Sequence, residues 1–494
     1  MSLTIIFAIL LITIGLIHSM RKPRNFPPGP LWIPIIGSSF HFGKAGKAVR
    51  GGPHVVLEIL SRRWKTNVIG LKFGGQIVVS VSTYSTIKTV LENEAFNARP
   101  NNFFAKQRTI GKAPGITFAE GRIWNDQRKF LTRHLRNVGL GKSVLEVNIR
   151  EELEDVISLI DGKSEAVSIG ELVQPAVVSS IWSLIAGERL SRTDSKFQSL
   201  LLMLNKRSEA FDMGGGTLSN YPWLRFIAPG RVGFTLIKRL NVQLREILME
   251  TIDQHQGTWT LGNDSDLMYS FISHMHEQDE GEKSLDNEQL LMVCLDLFVA
   301  GAHSTGGTLD CACLMMLLHP DIQSKAQEVL DKEFSSSHSF TYSDRHKVPY
   351  IQAILSEVER LHQVFPIAGS RRALKDVDIE GYTIPKDSTI LINLYSVFMS
   401  KEVWGDPENF RPERFLNDHG KLIIYDEFVP FSTGRRRCLG EPLARSFLFI
   451  FFAQLLRRYR ILPMEGKALP SSILRTGIVS LPQPYSARFV QRTN

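Results

Sequence analysis

The chain has 494 residues, 43% of them hydrophobic and 22% charged, and it is therefore long enough to bury a large core. Three of its four cysteines, Cys294, Cys311 and Cys313, fall in one apolar stretch, which excludes a disulfide framework and favours a reducing compartment. The net charge of +8 comes without a recognition helix, zinc finger or RNA-binding signature, so we expect no nucleic acid but rather an anionic membrane surface and an acidic redox protein as partners.

The N-terminal segment predicts a membrane anchor. Residues 3–17 carry no charge, and the basic residues Arg21, Lys22 and Arg24 follow them. An apolar run of this length is either a transmembrane helix or a cleaved signal peptide. No basic residue precedes it and no small-x-small cleavage site follows, which favours an uncleaved anchor over residues 1–20. The charges after the run place the downstream chain in the cytosol.

Residues 21–30 form a basic and proline-rich hinge, since FPPGP cannot be helix or central strand. Residues 53–66 then have a helical pattern, and residues 68–82 read as a β-hairpin. Residues 101–119 lack a clear period and contain glycine and proline, so they are predicted to form a loop.

The helical stretch after this loop, GRIWNDQRKFLTRHLRNVG, places Trp124 and Arg128 four residues apart on one face. The helix is unusually basic, which indicates either a solvated face or a docking site. Its cationic side chains are Arg128, Lys129, Arg133, His134 and Arg136.

Helical patterns continue through the middle third, near residues 145–160, 176–210 and 231–255. The longest apolar helical pattern, residues 285–318, contains the stretch AGAHSTGGT. Its glycines, among them Gly301, are poor helix residues and indicate the close approach of something bulky. A further helix is predicted at residues 442–456, and short strand patterns occupy residues 473–490.

The stretch FSTGRRRCLG, residues 431–440, predicts a metal ligand held in a loop. Cys438 can bind a metal as thiolate, and we expect the nearby arginines and the following helix N-terminus to lower the pKa of its thiol. No second cysteine lies near, so a zinc or iron–sulfur site is not expected. A single cysteine suffices only if a cofactor such as haem fills the other positions. An inert buried cysteine is the alternative.

This stretch resembles the haem-thiolate loop of the cytochrome P450 family, F-x-x-G-x-R-x-C-x-G. All five specified positions are filled, by Phe431, Gly434, Arg436, Cys438 and Gly440. The resemblance implies a mainly α-helical fold with small β-sheets, in which residues 31–494 form one catalytic domain around haem b. It also implies that the Cys438 thiolate ligates the iron. The implied reaction inserts one oxygen of O2 into a small apolar substrate, using NADPH-derived electrons from a flavoprotein reductase, with cytochrome b5 as a further donor.

Other motifs agree with this resemblance. The W-x-x-x-R pair, Trp124 and Arg128, matches residues that hold a haem propionate in the family, and Arg371 and Arg436 are expected to do the same. The E-x-x-R motif is matched as well. Its residues and the third member of the family's buried ion network are Glu357, Arg360 and Arg414.

The family motif A-G-x-[D/E]-T-[T/S], which makes room for dioxygen and delivers protons, is matched only in part. Ala300, Gly301 and Thr305 agree, whereas His303 replaces the acid and Ser304 the threonine. Proton delivery by His303, Ser304 or an ordered water is chemically open, and a histidine that merely ties the helix to its neighbour is the alternative.

The resemblance further implies a protein of the endoplasmic reticulum membrane with its catalytic domain in the cytosol, in contact with membrane lipid. Residues 99–141 are similar to insect members that include the farnesoate epoxidases of juvenile hormone synthesis. Epoxidation of farnesoic acid or methyl farnesoate is therefore the expected reaction, with Lys106, Arg108 or Lys112 meeting a carboxylate. Hydroxylation of steroids or foreign compounds, rearrangement of peroxides without NADPH, and a non-catalytic haem protein are the alternatives.

Overall fold

Helices dominate the chain. The computed structural model describes residues 3–48, 51–109, 115–138, 143–162, 166–210, 216–277, 285–335, 337–475 and 479–492. The α-helices in this part, numbered in chain order, are α1 Leu3–Met20, α2 Ser39–Ala48, α3 Pro53–Trp64, α4 Tyr84–Glu92, α5 Phe103–Arg108, α6 Gly115–Phe118, α7 Gly121–Val138, α8 Ser143–Asp161, α9 Ile169–Ala186, α10 Ser195–Ala210, α11 Gly216–Asn220, α12 Leu224–Ile227, α13 Phe234–Thr258, α14 Leu267–His276, α15 Asn287–Leu318, α16 Pro320–Glu333, α17 Pro349–Leu361, α18 Leu394–Phe398, α19 Lys401–Trp404 and α20 Glu441–Arg458.

The strands form three small sheets. They are β1 Val68–Phe73, β2 Gln76–Val81, β3 Ile367–Arg372, β4 Val377–Ile379, β5 Tyr382–Ile384, β6 Thr389–Asn393, β7 Tyr459–Leu462 and β8 Arg488–Gln491. In the largest sheet the order is β1-β2-β6-β3, with β2 and β6 parallel and the other pairs antiparallel. The predicted hairpin is confirmed, and it turns at Gly74, whose φ is +57°.

Helix α15 is the centre of the main hydrophobic core, and its prediction is confirmed to within two residues. The Asp286 side chain caps its start by accepting a hydrogen bond from the Gln289 amide at 2.8 Å. It ends before Pro320, which starts α16. Two of the described helices, α9 and α15, are long and apolar enough to cross a membrane, but both are mostly buried within the protein as core helices.

One prediction about the helices is wrong. Residues 101–119 are not a plain loop, because α5 forms where the Asn102 side chain accepts a hydrogen bond from the Ala105 amide at 2.9 Å, and α6 follows. The helical pattern at 176–210 corresponds to two helices, α9 and α10. Gly187 ends α9 in the left-handed conformation, with φ +74°, and α10 starts after a separate turn.

Candidate active site

A cavity of about 370 Å³ lies between α15 and the 431–440 loop, and it brings most of the predicted site residues together. The predicted site residues that line it are Trp124, Arg128, Gly301, Ser304, Thr305, Phe431, Arg436 and Cys438. A second cavity of about 250 Å³ shares Ser304, Thr305 and Cys438 with the first. The cysteine and the two hydroxyl side chains of α15 therefore face one space.

The geometry of the loop explains its glycine and holds its cysteine. The Cys438 amide donates to the Phe431 carbonyl at 2.9 Å, which closes the loop at the start of α20. Gly434 has φ +73°, and a Cβ there would lie 2.4 Å from the Leu91 carbonyl oxygen. Only glycine fits this left-handed turn against neighbouring backbone. The Cys438 thiol is thus fixed in position by a tightly packed turn.

The expectation of a lowered thiol pKa is wrong for the polypeptide by itself. Burial raises the pKa of Cys438, and this outweighs the lowering by the backbone amides of Gly440 and Glu441 and by the charge of Arg128. The side chain is exposed, but it faces the cavity rather than bulk water. A metal that binds the sulfur would therefore have to displace a proton.

Three guanidinium groups, two of them buried, lie near one another beside the cavity, and only two carboxylates, those of Asp296 and Glu120, act on them in the described chain. Burial lowers the pKa of Arg371 well below its usual value, and the neighbouring charges of Arg99 and Arg436 lower it further. Burial, and next the charge of Arg99, lower the pKa of Arg436 to about 9. The Nη1 atom of Arg436 is buried and has no hydrogen-bond partner among the described residues. Such a cluster fits an anionic ligand, and the two propionates of haem would supply that charge.

Sequence reasoning missed Arg99 as a member of this cluster. Its Nη1 donates to the Ser370 carbonyl at 2.7 Å and its Nε to the Thr117 carbonyl at 3.1 Å, so the guanidinium lines the cavity. One contact is with α6 and the other is with β3, which lies far along the chain. No local pattern around Arg99 indicates them.

The other predicted propionate ligands differ in their access to the cavity. The Trp124 ring lines it and lies 4.2 Å beneath the Arg436 guanidinium carbon. Arg128 also lines it, and donates from Nη2 to the Arg437 carbonyl at 3.0 Å. Arg371 is 2% exposed and donates to the Gly369 carbonyl at 2.8 Å, so it stands behind the lining residue Gly369.

The small residues of α15 allow neighbouring protein to approach. A Cβ at Gly301 would lie 2.1 Å from Cδ1 of Ile181 on α9, and one at Gly307 would lie 2.4 Å from Cδ2 of Leu481. Gly301 also lines the cavity, so the absence of a side chain there lets α9 pack closely against α15 and leaves the cavity open. The Ser304 hydroxyl lines the same cavity and donates to the Ala300 carbonyl at 2.7 Å.

His303 points elsewhere. Gln174 on α9 donates from its amide nitrogen to Nδ1 of His303 at 2.9 Å, which places the ring proton on Nε2, 3.5 Å from the Leu204 carbonyl on α10. The ring is 9% exposed and is not among the residues that line either cavity. The geometry favours a histidine that joins three helices.

A buried ion network joins α17 to the 3-10 helix Pro412–Phe415, which precedes the cysteine loop in the chain. The Glu357 carboxylate accepts from Nε of Arg360 at 2.7 Å and from Nε of Arg414 at 3.0 Å, and the three residues are between 0% and 6% exposed. Arg360 also donates to the Phe398 and Pro407 carbonyls. The network ties α17 to the segment before the cysteine loop, as the sequence motif predicts.

Comparison with known proteins agrees with this geometry. A family model described as cytochrome P450 matches residues 27–489. The chain is 39% identical to a probable cytochrome P450 305a1 of Drosophila melanogaster over 97% of both chains. It is 31% identical to a farnesoate epoxidase of Bombyx mori, over 92% of this chain and 91% of that one, and 32% identical to cytochrome P450 2J5 of Mus musculus, over 98% and 95%.

The mainly α-helical fold, the single cavity-lining cysteine in its loop and these relatives agree with one another. A haem-thiolate iron, NADPH-derived electrons, a redox partner and an apolar substrate are general to such proteins. The chain belongs to the cytochrome P450 family of monooxygenases.

Proposed function

We propose that this protein holds haem b with Cys438 as the iron ligand and epoxidises farnesoic acid, or its methyl ester, at the endoplasmic reticulum membrane. The observation that supports the haem site best is the shared cavity of the Cys438 thiol and the partly unpaired guanidinium of Arg436. Haem ligated by thiolate supplies reductive activation of O2 when bound. The polypeptide orients it through Cys438, Trp124 and its arginines.

Two cations lie next to an acid at the roof of the cavity, the side that α6 and α15 form. Asp296 of α15 lines the cavity and accepts from the Thr117 amide at 2.8 Å. The charges of Arg108 and Arg207 both act on this carboxylate, so two cations lie behind the lining residue Asp296 without lining the cavity themselves. Lys106 is exposed, and Lys112 lies outside the described residues. Of the described cations predicted to meet a carboxylate, Arg108 is the one whose charge acts on a cavity-lining residue, Asp296.

Replacing Arg108 by glutamine is expected to raise the KM for farnesoic acid by about 10- to 100-fold and to leave that for methyl farnesoate nearly unchanged. A buried hydrogen bond to a charged group contributes about 1.5–3 kcal/mol, and the ester has no charge to lose. Product formation is measured with both substrates after reconstitution with reductase and NADPH. The matched control is Lys106→Gln on the exposed side of the same helix.

If R108Q lowers acid and ester turnover equally, Arg108 does not read the carboxylate. If neither terpenoid is oxidised by the unchanged protein, the farnesoate proposal is wrong. A product screen over steroids and drug-like compounds then decides between the remaining hydroxylase functions. A product formed from a peroxide without NADPH would instead favour the rearrangement of peroxides.

We propose that Ser304, rather than His303, passes protons into the cavity. Its hydroxyl faces the cavity with Thr305, whereas the His303 ring is held between α9 and α10. In this structure the Ser304 hydroxyl donates to the Ala300 carbonyl, so as a relay it would turn to donate its proton into the cavity while its oxygen takes up a proton from a hydrogen-bonded water.

The change Ser304→Ala is expected to lower product formed per NADPH consumed, by up to about 10²-fold if this hydroxyl carries the proton alone. The change His303→Gln keeps a hydrogen-bonding side chain toward Gln174 and is expected to leave this ratio unchanged. The ratio is measured from NADPH consumption and product in the same reaction. Loss of coupling in H303Q with normal coupling in S304A would assign the relay to His303.

The proposed membrane orientation rests on exposed apolar side chains. Helix α1 is apolar on all sides. Beyond it, Leu31 and Phe226 are 73% and 76% exposed. The Tyr221 hydroxyl donates to Oγ of Ser39 at 2.9 Å, which joins the segment that contains Phe226 to the segment that contains Leu31. These residues favour contact with lipid on the side of the anchor.

The proposed reductase docking site lies beside the cysteine loop. Lys129, Arg133 and Arg136 of α7 are exposed, and Arg435 of the loop bonds the Asn125 side chain at 2.8 Å, so the loop adjoins this helix. His134 does not contribute to this surface. It is 5% exposed, and burial lowers its pKa to about 4, which leaves it neutral. An acidic flavoprotein, with cytochrome b5 as a second donor, suits the remaining cations.

A further inference from the structure

A buried carboxylate lies below the cysteine loop and has no part in the reaction described so far. Glu359 of α17 is 9% exposed, and its Oε2 atom accepts no hydrogen bond from the described residues. The cation that pairs with it in the described chain is Arg445 of α20, whose Nη1 lies 3.7 Å from Oε2. This distance permits charge attraction but exceeds that of a hydrogen bond.

Arg445 connects this carboxylate to the loop. Its guanidinium carbon lies 4.7 Å from the centre of the Phe431 ring, and its Nε donates to Glu441 at 3.0 Å. The Phe431 carbonyl accepts the Cys438 amide hydrogen bond. A change of charge on Glu359 therefore acts on Arg445. Arg445 packs against Phe431, and the Phe431 carbonyl is hydrogen-bonded to the backbone of Cys438.

Glu359 also stands between two spaces. It lines the cavity of about 250 Å³ that contains Cys438, and it lines an outer cavity of about 260 Å³ with Tyr342, Arg345 and Arg445. Because it contacts the outer cavity, its carboxyl can exchange a proton without passing through the substrate cavity. Ser304 and Thr305 of α15 line the inner of these two cavities with Glu359, but not the outer one.

The surrounding charges place its titration near neutrality. Burial raises the pKa of Glu359 to about 7, the charge of Arg445 opposes this rise, and Glu441 adds to it. The titratable groups facing it from the 3-10 helix Tyr342–His346 are Tyr342 and Arg345, which line the same outer cavity. Arg414, from the 3-10 helix Pro412–Phe415, bonds Glu357 instead. No charged residue of α15 or α16 is paired with Glu359 in the described chain.

We propose that Glu359 is a positioning residue of the haem-thiolate site whose charge, carried to the cysteine loop through Arg445, sets the reduction potential of the haem iron. The proposal rests on the assignment of Cys438 as the haem ligand. When Glu359 loses its proton, it adds a negative charge beside the site. Negative charge stabilises the ferric form relative to the ferrous form, so the reduction potential falls as pH rises through the pKa of this carboxyl.

The test is spectroelectrochemical titration of the full haem-loaded protein at several pH values on both sides of neutrality. The unchanged protein is expected to show a fall in midpoint potential across this range. The isosteric variant Glu359→Gln is expected to remove that fall and to keep the potential at the high value of the protonated form. Glu359→Asp keeps an acid at a shorter reach and is expected to retain a pH-dependent fall with a displaced midpoint.

The matched control is Asp310→Asn. Asp310 is another buried carboxyl whose pKa burial raises to about 7, but it lines neither cavity that contains Cys438. D310N is expected to keep the pH dependence of the unchanged protein. Equal pH dependence in the unchanged protein and E359Q would overturn the proposal, and so would its loss in D310N.

The carbon monoxide difference spectrum distinguishes a wrong role for Glu359 from a wrong assignment of Cys438 as the haem ligand. If the reduced unchanged protein lacks the band typical of thiolate-ligated haem, the role of Cys438 is wrong and the proposal falls with it. If the band is present in both proteins and the potentials coincide at every pH, only the role of Glu359 is wrong.

Discussion

Replacing Cys438 by serine is expected to reduce NADPH-dependent product formation to background and to abolish the carbon monoxide band of thiolate-ligated haem. Cys438 is the one described cysteine that lines the cavity. A serine has no sulfur to bind the iron, and its hydroxyl stays protonated at neutral pH. Haem content is measured together with the spectrum, because the arginine cluster can retain haem that has lost its sulfur ligand.

The control for this variant is Cys313→Ala. Cys313 is 1% exposed within α15 and does not line the cavity, so its removal leaves the loop intact. We expect the band and the turnover to survive in C313A. A C438S protein with an unchanged spectrum would exclude Cys438 as the iron ligand.

Replacing Glu357 by glutamine is expected to destabilise the fold by about 3–5 kcal/mol and to weaken haem retention. The change leaves the guanidinium groups of Arg360 and Arg414 buried without their counterion, and that cost exceeds the loss of one hydrogen bond. The effect is measured as a lowered thermal denaturation midpoint and as faster release of haem to an acceptor protein.

Glu413→Gln provides the contrast for this prediction. Glu413 pairs with Lys325 at 2.7 Å, but both side chains are about half exposed, and a surface pair contributes about 0–1 kcal/mol. A similar fall in stability for E357Q and E413Q would mean that burial of the network does not determine its contribution.

The haem loop could be predicted because all its parts lie within ten residues. The ligand, the glycine for the left-handed turn and the arginine for an acidic group depend on local backbone geometry, which short-range sequence determines. The same holds for α15 and the β1–β2 hairpin, whose apolar periods and turn residues are local. The wrong prediction at 101–119 also has a local cause, the side-chain cap of α5, and the division of the helical pattern at 176–210 has another, the glycine that ends α9.

The arginine cluster could not be predicted in full, because its members come from distant parts of the chain. Arg99 follows a short helix near the sheet, Arg371 lies on β3 and Arg436 lies in the loop. They meet only because β3 and the residues around Ala98 come together, with Arg372 donating its amide to the Ala98 carbonyl at 2.9 Å. Like charges are brought this close by the packing of the sheet.

The sequence by itself therefore determined the thiolate loop, the buried ion motif and the central helix of this protein. Tertiary structure decided which way the side chains of these helices face. The sequence alone allows the His303 ring to face the cavity, and its contacts with α9 and α10 decide that it does not. Glu357 and Glu359 are two residues apart, and a helix turns about 200° over that distance, so one carboxylate joins the ion network and the other borders the cavity of Cys438. The sequence determines the helical period, but only packing determines which neighbours lie on each face.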